Sequence, residues 1–397
     1  MALVLEMDTN IMCNPTSLFE YLKSQQRDMV DEVKRYCAIE SGSNDKAGVD
    51  AVGAIVVPAW EALGFAIEPI LVSETGNHFV ARRRGRGRGR LLAHMHLDTT
   101  QPRGTIRKHP VGEQNGKVYG PGIHDMKGGW VVLLGAFRAL RSAGWEGLES
   151  TTVFICGDEE LGSPTARAHI ESEARKADWQ VIMEPAREGG RLCTSRGVVG
   201  AIYFTVHGEF ASAPSGAGAS AIVEAAHKVV ALSKLSSPTQ DKLINVGLIE
   251  AGTARQAVAA KAWLSIDLRA ANQRDGEELV NSVRAIGDQV VVPKTRTVMT
   301  GGITRPAFPR NDGNLRMFKI AQEAAREIGF HVDEAPQNRG GSDGSFGAAL
   351  GVPSLDGLGP VGGHENGRQY ILADSLPERA AMLAGLIRRL PELLATP

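Results

Sequence analysis

Aromatic residues are scarce in this 397-residue chain, where five tyrosines, five tryptophans and eleven phenylalanines make up only 5%. Few platforms are therefore available for stacking the bases of single-stranded nucleic acid. Neither sign of charge prevails, because 44 Lys+Arg stand against 45 Asp+Glu for a formal charge of −1. That balance removes the electrostatic case for nucleic acid or an anionic membrane as the main partner. Cysteine is limited to Cys13, Cys37, Cys156 and Cys193, scattered without paired spacing. Such usage points to a reducing, cytoplasmic setting rather than to a disulfide framework. No apolar run approaches the roughly 20 residues that a membrane span needs. The longest candidate, Ala51 to Val72, is broken by Pro58, Glu61, Glu68 and Pro69. The opening MALVLEMDTN has no basic stretch followed by an apolar one, so no secretory leader is expected.

What is present suits a globular α/β protein. Hydrophobic residues make up 43% of the chain and glycines number 46, as short loops at strand ends require. At roughly 150 residues per domain, two or three domains are expected. Thr16–Ile39 and Asp45–Leu63 carry apolar residues at three and four spacing and read as helices, with starts at Asn14-Pro15-Thr16 and Ser43-Asn44-Asp45. The run HFVARRRGRGRGRLLAHMHLDTT reads as a hairpin whose tip, Arg82 to Arg90, holds six arginines and is expected to be solvated. Strands at Thr151–Cys156 and Gln180–Met183 alternate with helices at Met126–Ala143 and Pro164–Lys176, which predicts a mixed central sheet covered on both faces. From about Gly197 the texture changes. Strands at Val198–His207, Leu243–Ile249, Lys261–Arg269 and Val292–Val298, with helices at Ala219–Leu235 and Gly276–Ile286, give a β-α-β-β-α-β order of ferredoxin-like type. Helices near Asn314–Ile328 and Ala380–Leu394 return to the first texture. The expected organisation is one discontinuous domain, 1–196 and 305–397, interrupted by a second over 197–304.

Groups able to bind a metal concentrate in five segments, each at a strand end or in a loop: His96-Leu97-Asp98, the stretch around Asp125, Asp158-Glu159-Glu160, Glu184-Pro185 and His364-Glu365. In an open α/β sheet the carboxyl ends of the strands gather at one edge, so distant residues can meet there. Imidazole with carboxylates and no thiolate suits Zn²⁺, Mn²⁺ or Co²⁺. One or two such ions per subunit are compatible with this donor set. In the Glu159-Glu160 pair one carboxylate can turn to a metal while its neighbour serves as general base. Alone, each segment has a plain explanation; Asp125 could merely cap a helix, and Gly128-Gly129 could merely allow close packing.

Together the segments AHMHLDTT, VYGPGIHDMKGGW, GDEELGS, MEPA, NRGGSDGSF and LDGLGPVGGHENG resemble those of the M20 metallopeptidases, in the same order and over nearly the whole chain. The resemblance implies a zinc-exopeptidase-like catalytic domain of carboxypeptidase G2-like type, with an inserted lid and dimerisation domain. It implies His96, Asp125 and Glu184 at one metal and Asp125, Glu160 and His364 at a second, with Glu159 as general base and Asp98 orienting the ring of His96. His94 and His124 have no counterpart in the pattern.

The chain departs from the family in the lid. A histidine that reaches the partner's active site and bonds the oxyanion is replaced by Ser212, and the lid asparagine by Gln256. Arg269, Gly341 and, more loosely, Arg305 match positions that clamp a substrate carboxylate, and Arg255 and Arg196 add positive charge nearby. A retained metal set without the lid histidine resembles the aminohydrolase branch acting on 5-nitroanthranilate, where ring substituents carry the developing charge. The other reading is an amidohydrolase, either a glutamate-type carboxypeptidase or an N-acyl amino acid deacylase. A binding protein without catalysis would have no reason to keep Glu159. The expected partners are a small carboxylate substrate and a second copy of the chain.

Overall fold

The computed structural model describes Asn14 to Leu394 except Pro238, Gln240 and Asn338; Cys13 and the opening ten residues lie outside the described residues. In chain order the strands begin with β1 (Ala66–Ile70), β2 (His78–Arg84), β3 (Arg90–His96), β4 (Gly112–Gln114), β5 (Lys117–Tyr119), β6 (Ser150–Cys156) and β7 (Trp179–Ile182). The next six are β8 (Val198–His207), β9 (Ala211–Ser212), β10 (Leu243–Ala251), β11 (Ala257–Val258), β12 (Lys261–Ala270) and β13 (Arg296–Arg305). Last come β14 (Ser354–Leu355), β15 (Gly362–Glu365) and β16 (Arg368–Leu372). The chain divides into two compact units: one holds residues up to Thr194, 310–336 and those from Ser342 onward, the other Ser195–Pro309 and Gln337–Gly341.

The first unit is built on a mixed sheet in the order β1-β2-β6-β3-β7-β14. Strands β6, β3, β7 and β14 run parallel, and at one side β2 pairs antiparallel with β6 and β1 antiparallel with β2. Alternate residues of the central strands enter two different cores, Leu91, Ala93 and Met95 on one face and Leu92 on the other. A period of two with both faces covered is what a parallel sheet demands. The helix Gly128–Ser142 packs at the centre of the larger core, and its opening glycines are obligatory: a Cβ on Gly129 would lie 2.2 Å from the Met183 carbonyl oxygen. Beside this sheet, β15-β16-β5-β4 form a smaller antiparallel one.

In this unit two expectations change. The helix over Thr16–Ile39 is two helices, Pro15–Ser24 and Gln26–Cys37, because Gln25 (φ −97°, ψ 3°) turns its N–H back to Leu22. The caps are as expected, with Asn14 accepting from Ser17 N–H and Asp45 from Gly48 N–H. The hairpin after Val72 does not form, since β6 lies between β2 and β3. The arginine-rich tip bonds instead to the chain entering β6, Gly85 N–H to Glu149 at 2.9 Å and Gly87 N–H to Leu148 at 3.0 Å. Only glycine fits there, as a Cβ on Gly87 would sit 1.8 Å from the Gly147 oxygen.

The second unit is an antiparallel sheet in the order β10-β12-β8-β13 with helices Ala221–Ser233 and Gln273–Asp288, the expected ferredoxin-like connection. Its last strand starts at Arg296 rather than near Val292, because Thr295 N–H closes a turn onto Val292 and Lys294 has φ 68°. A separate ribbon pairs β9 with β11.

Candidate metal centre

Three neighbouring parallel strands deliver the site. β3 ends at His96, β6 ends two residues before Asp158, and β7 ends two residues before Glu184, all at the same edge. His96 is the hub. Its Nε2 lies 3.2 Å from Asp125 Oδ1 and 3.7 Å from Glu184 Oε1, and its Nδ1 is 2.8 Å from the Asp98 carbonyl oxygen. Donor atoms of His96, Glu159 and Glu184 fall within 4.8 Å of one another, and so do those of His96, Asp125 and Glu160. Asp125 caps nothing: its backbone (φ −124°, ψ 99°) is extended in a kinked turn ahead of the helix, and its side chain meets His96.

Asp98 ties the two halves of this cluster together. Fully buried, it accepts Glu159 N–H at 3.0 Å on one oxygen, and Glu160 N–H at 3.1 Å and the Ser43 hydroxyl at 2.8 Å on the other. Behind the Glu159-Glu160 turn, Asp158 accepts from Thr165 N–H and its hydroxyl, and His78 accepts Gly157 N–H. His78, Cys156 and Asp158 also lie close enough to hold an ion. Burial pushes the Cys156 thiol well up, however, and its S–H bonds Asp158, so this group serves to anchor the turn.

The donor set fits a divalent cation. Burial, then the charge of Asp125, pushes the Glu160 carboxyl up to about 9. His96 is held well above its ordinary range because hydrogen bonds to Asp125 and Asp98 overcome its burial. Without a cation, the cluster therefore retains protons that a metal would displace. Burial opposes ionisation of Asp125, yet His96, His124 and Arg187 hold it below its usual value. A cavity of about 410 Å³ opens beside Glu160, walled by Ser43, Asn44, Thr99 and Gln101, large enough for a small substrate.

His364 stands apart from these two groups. It is exposed on β15, its ring edge-on to His124 at 5.8 Å and 84°. His94 lies away from the cluster, buried and bonded to Gln180. In the second unit, Ser212 lies on the β9–β11 ribbon and Gln256 immediately precedes β11, its carbonyl accepting Ala213 N–H at 2.9 Å, with Arg255 exposed beside them. The segment 339–341 collects three arginines. Arg269 donates to the Arg339 carbonyl while paired with Asp267, and buried Arg196 donates to the Gly341 carbonyl at 3.2 Å. Gly341 packs so closely on Arg305 that a Cβ would meet its Cγ at 2.6 Å.

Sequence reasoning missed Ser43, Gln369 and Arg187. Gln369, buried on β16, accepts from both His124 N–H and Asp125 N–H. None of the three has a sequence signal, since each acts on residues distant along the chain or beyond its own segment.

The sequence profile of Peptidase family M20/M25/M40 matches residues 92–389. Carboxypeptidase G2 of Pseudomonas sp. (strain RS-16) is 28% identical over 380 residues, covering 93% of this chain and 91% of that protein. Among solved structures, the dipeptidase Dug1p of Saccharomyces cerevisiae superposes with a TM-score of 0.73 at 15% identity, covering 95% of this chain and 98% of that one. The YXEP protein of Bacillus subtilis, described as a dinuclear metal-binding M20 peptidase, gives 0.62 at 16% identity over 93% of this chain and 99% of its own. With strand-end donor groups gathered around His96 and a matching profile over most of its length, the chain belongs to peptidase family M20/M25/M40 and is a hydrolase of carbon–nitrogen bonds.

Proposed function

We propose that the substrate is a small carboxylate-bearing aromatic amine such as 5-nitroanthranilate, whose ring amine is replaced by hydroxyl with release of ammonia. The observation that carries this reading is Ser212 at the place of the lid histidine, on the ribbon that Gln256, at the place of the lid asparagine, immediately precedes. Removing one oxyanion donor costs about 100- to 1000-fold in rate. A ring whose own substituents accept the developing charge does not need that histidine.

His96, Asp125 and Glu184 would hold one Zn, Mn or Co ion, and Asp125, Glu160 and His364 a second. Such an ion supplies a lowered pKa to water at neutral pH. Glu159 takes the proton from the attacking water and returns it to the departing nitrogen. Asp98 fixes both the ring of His96 and the backbone of Glu159. Arg305 and Arg269 orient the substrate carboxylate. The chain acts in the cytoplasm as a homodimer through its second unit. The edge strand β10 and the helix Ala221–Ser233 expose Leu248 (60%), Ile249 (54%) and Val230 (58%), which suit such a contact.

A second reading is favoured by the likeness to carboxypeptidase G2: an amidohydrolase in which the Ser212 hydroxyl or a water supplies the missing donor. Metal-loaded protein given 5-nitroanthranilate, N-acyl amino acids and a folate-type glutamate conjugate separates the two. Ammonia from the first alone is expected. Release of glutamate or a free amino acid, with the nitroanthranilate untouched, would replace the first reading by the second.

A further inference from the structure

Beside the metal cluster, two nitrogen atoms shielded from solvent have no hydrogen-bond partner among the described residues: Nε of Arg187 and Nε2 of His124. They belong to one group, since Arg187 acts electrostatically on both His124 and Asp125, and the ring of His364 abuts that of His124. Polar atoms hidden from water are almost always satisfied, so an orphan at a functional site points to a ligand that supplies the missing acceptor.

Arg187 is not adrift. Its backbone is pinned on both sides of Pro185: the Glu184 carbonyl accepts Gly359 N–H at 2.8 Å, and Ala186 N–H reaches the Pro360 carbonyl. Arg187 then closes a tight turn with Arg191, its N–H bonding the Arg191 carbonyl at 2.9 Å. Gly189 and Gly190 take positive φ in that turn (73° and 77°). The buried guanidinium of Arg379 staples the same turn, donating to the carbonyls of Gly190 and Gly359 at 2.9 and 3.0 Å. The His124 backbone N–H is held by Gln369, and Gly362 packs so closely on the His124 ring that a Cβ there would meet its Cδ2 at 2.8 Å. The backbone that presents each of the two side chains is therefore fixed before any ligand arrives, which limits the reorganisation a donor must undergo to stabilise charge.

We propose that Arg187, with the ring Nε2–H of His124 beside it, is the pair that receives the substrate oxygen on which negative charge gathers as the carbon–nitrogen bond is attacked. This rests on the reading of the chain as a C–N hydrolase, and it deepens that reading. The donor lost from the lid at Ser212 is supplied by the catalytic unit itself. The guanidinium carries its charge at every working pH and can bond two oxygens at once, so it serves a nitro or carboxylate group as well as a carbonyl oxygen.

The test uses the full-length, metal-loaded protein and whichever substrate the wild type turns over, with the variants Arg187→Met and Arg187→Lys. Arg187→Met should lower kcat about 100-fold or more at unchanged metal content. Arg187→Lys, or free guanidinium added to Arg187→Met, should restore part of the loss. Wild-type kcat in Arg187→Met overturns the inference. So does a loss that accompanies lost metal and that neither lysine nor guanidinium relieves, because that is the mark of a structural arginine. If the wild type cleaves amides and leaves the nitroanthranilate intact, the deamination reading falls while the Arg187 comparison proceeds on the amide. If Arg187→Met deaminates nitroanthranilate at full rate, this inference falls and the deamination reading stands.

Discussion

Replacing Asp98 by asparagine tests the geometry that joins the proposed metal ligand His96 to the proposed general base Glu159. The carboxylate accepts Glu159 N–H on Oδ1, and Glu160 N–H and the Ser43 hydroxyl on Oδ2, with no solvent exposure. The asparagine amide can keep only one of these faces. With its oxygen toward Glu159, its NH₂ confronts Glu160 N–H, while the Ser43 hydroxyl can turn and accept. One buried backbone donor is then left unmade, at a cost of about 1–3 kcal/mol, and the surviving bond to Glu159 loses the strength that charge lent it. The negative charge 3.5 Å from His96 Nδ1 also disappears, which weakens the ring as a ligand. Loss of such an outer carboxylate costs about 10- to 100-fold in metal affinity or activity. Chelator competition on purified Asp98→Asn, followed by turnover at saturating metal, reads the two effects separately. The reduced affinity should be accompanied by a kcat that excess metal does not restore, because the Glu159 turn is displaced. Wild-type affinity together with wild-type kcat would refute the coupling.

Glu159→Gln should abolish turnover while metal content stays at the wild-type level; near-full activity would remove Glu159 as the base. In metal-free protein the Glu160 carboxyl titrates near 9 against an ordinary 4.5, so the folded state binds the extra proton in between and stability falls as pH rises through that window. His96, also raised, adds the same sign: its contribution is present below its ordinary value and is lost as pH rises through the folded one. Melting curves of chelated wild type against Glu160→Gln should show the downward slope in the first and a shallower one in the second, and identical slopes would discount Glu160. Because the ligands must shed protons, apparent metal affinity should rise with pH over the same interval. If the wild type sediments as the proposed homodimer, Leu248→Lys on the exposed edge strand should shift it to monomer in analytical ultracentrifugation with its fold intact, whereas an unaltered dimer would place the interface elsewhere.

Local pattern was a reliable guide wherever the determining contacts were themselves local. Asn14 and Asp45 cap helices three residues on, and the alternation along β8 and β12 declares their half-buried faces. It misled where a third strand intervened. The runs flanking the arginine tip have every property of a hairpin, yet pairing is decided by which strand carries the most complementary buried face, and β6 takes the place between them. The motif around Asp125 allowed either a plain helix cap or a carboxylate turned toward the site, and the kink that sets its carboxylate against His96 excludes the cap. Ser43 and Gln369 could not be singled out, because their work is done on Asp98 and Asp125, 55 and 244 residues away in the chain.

By itself the sequence determined the class of chemistry and the ordering of elements, since residue type limits what can bind a hard cation and periodicity limits what can be buried. Which carboxylates actually share His96, and that Arg187 is presented beside them on a stapled turn, depended on the parallel strand order β6-β3-β7 and on close backbone approaches at Gly129 and Gly359. Those are long-range packing choices, settled by the free energy of the whole core, and no short stretch of chain contains the information to make them.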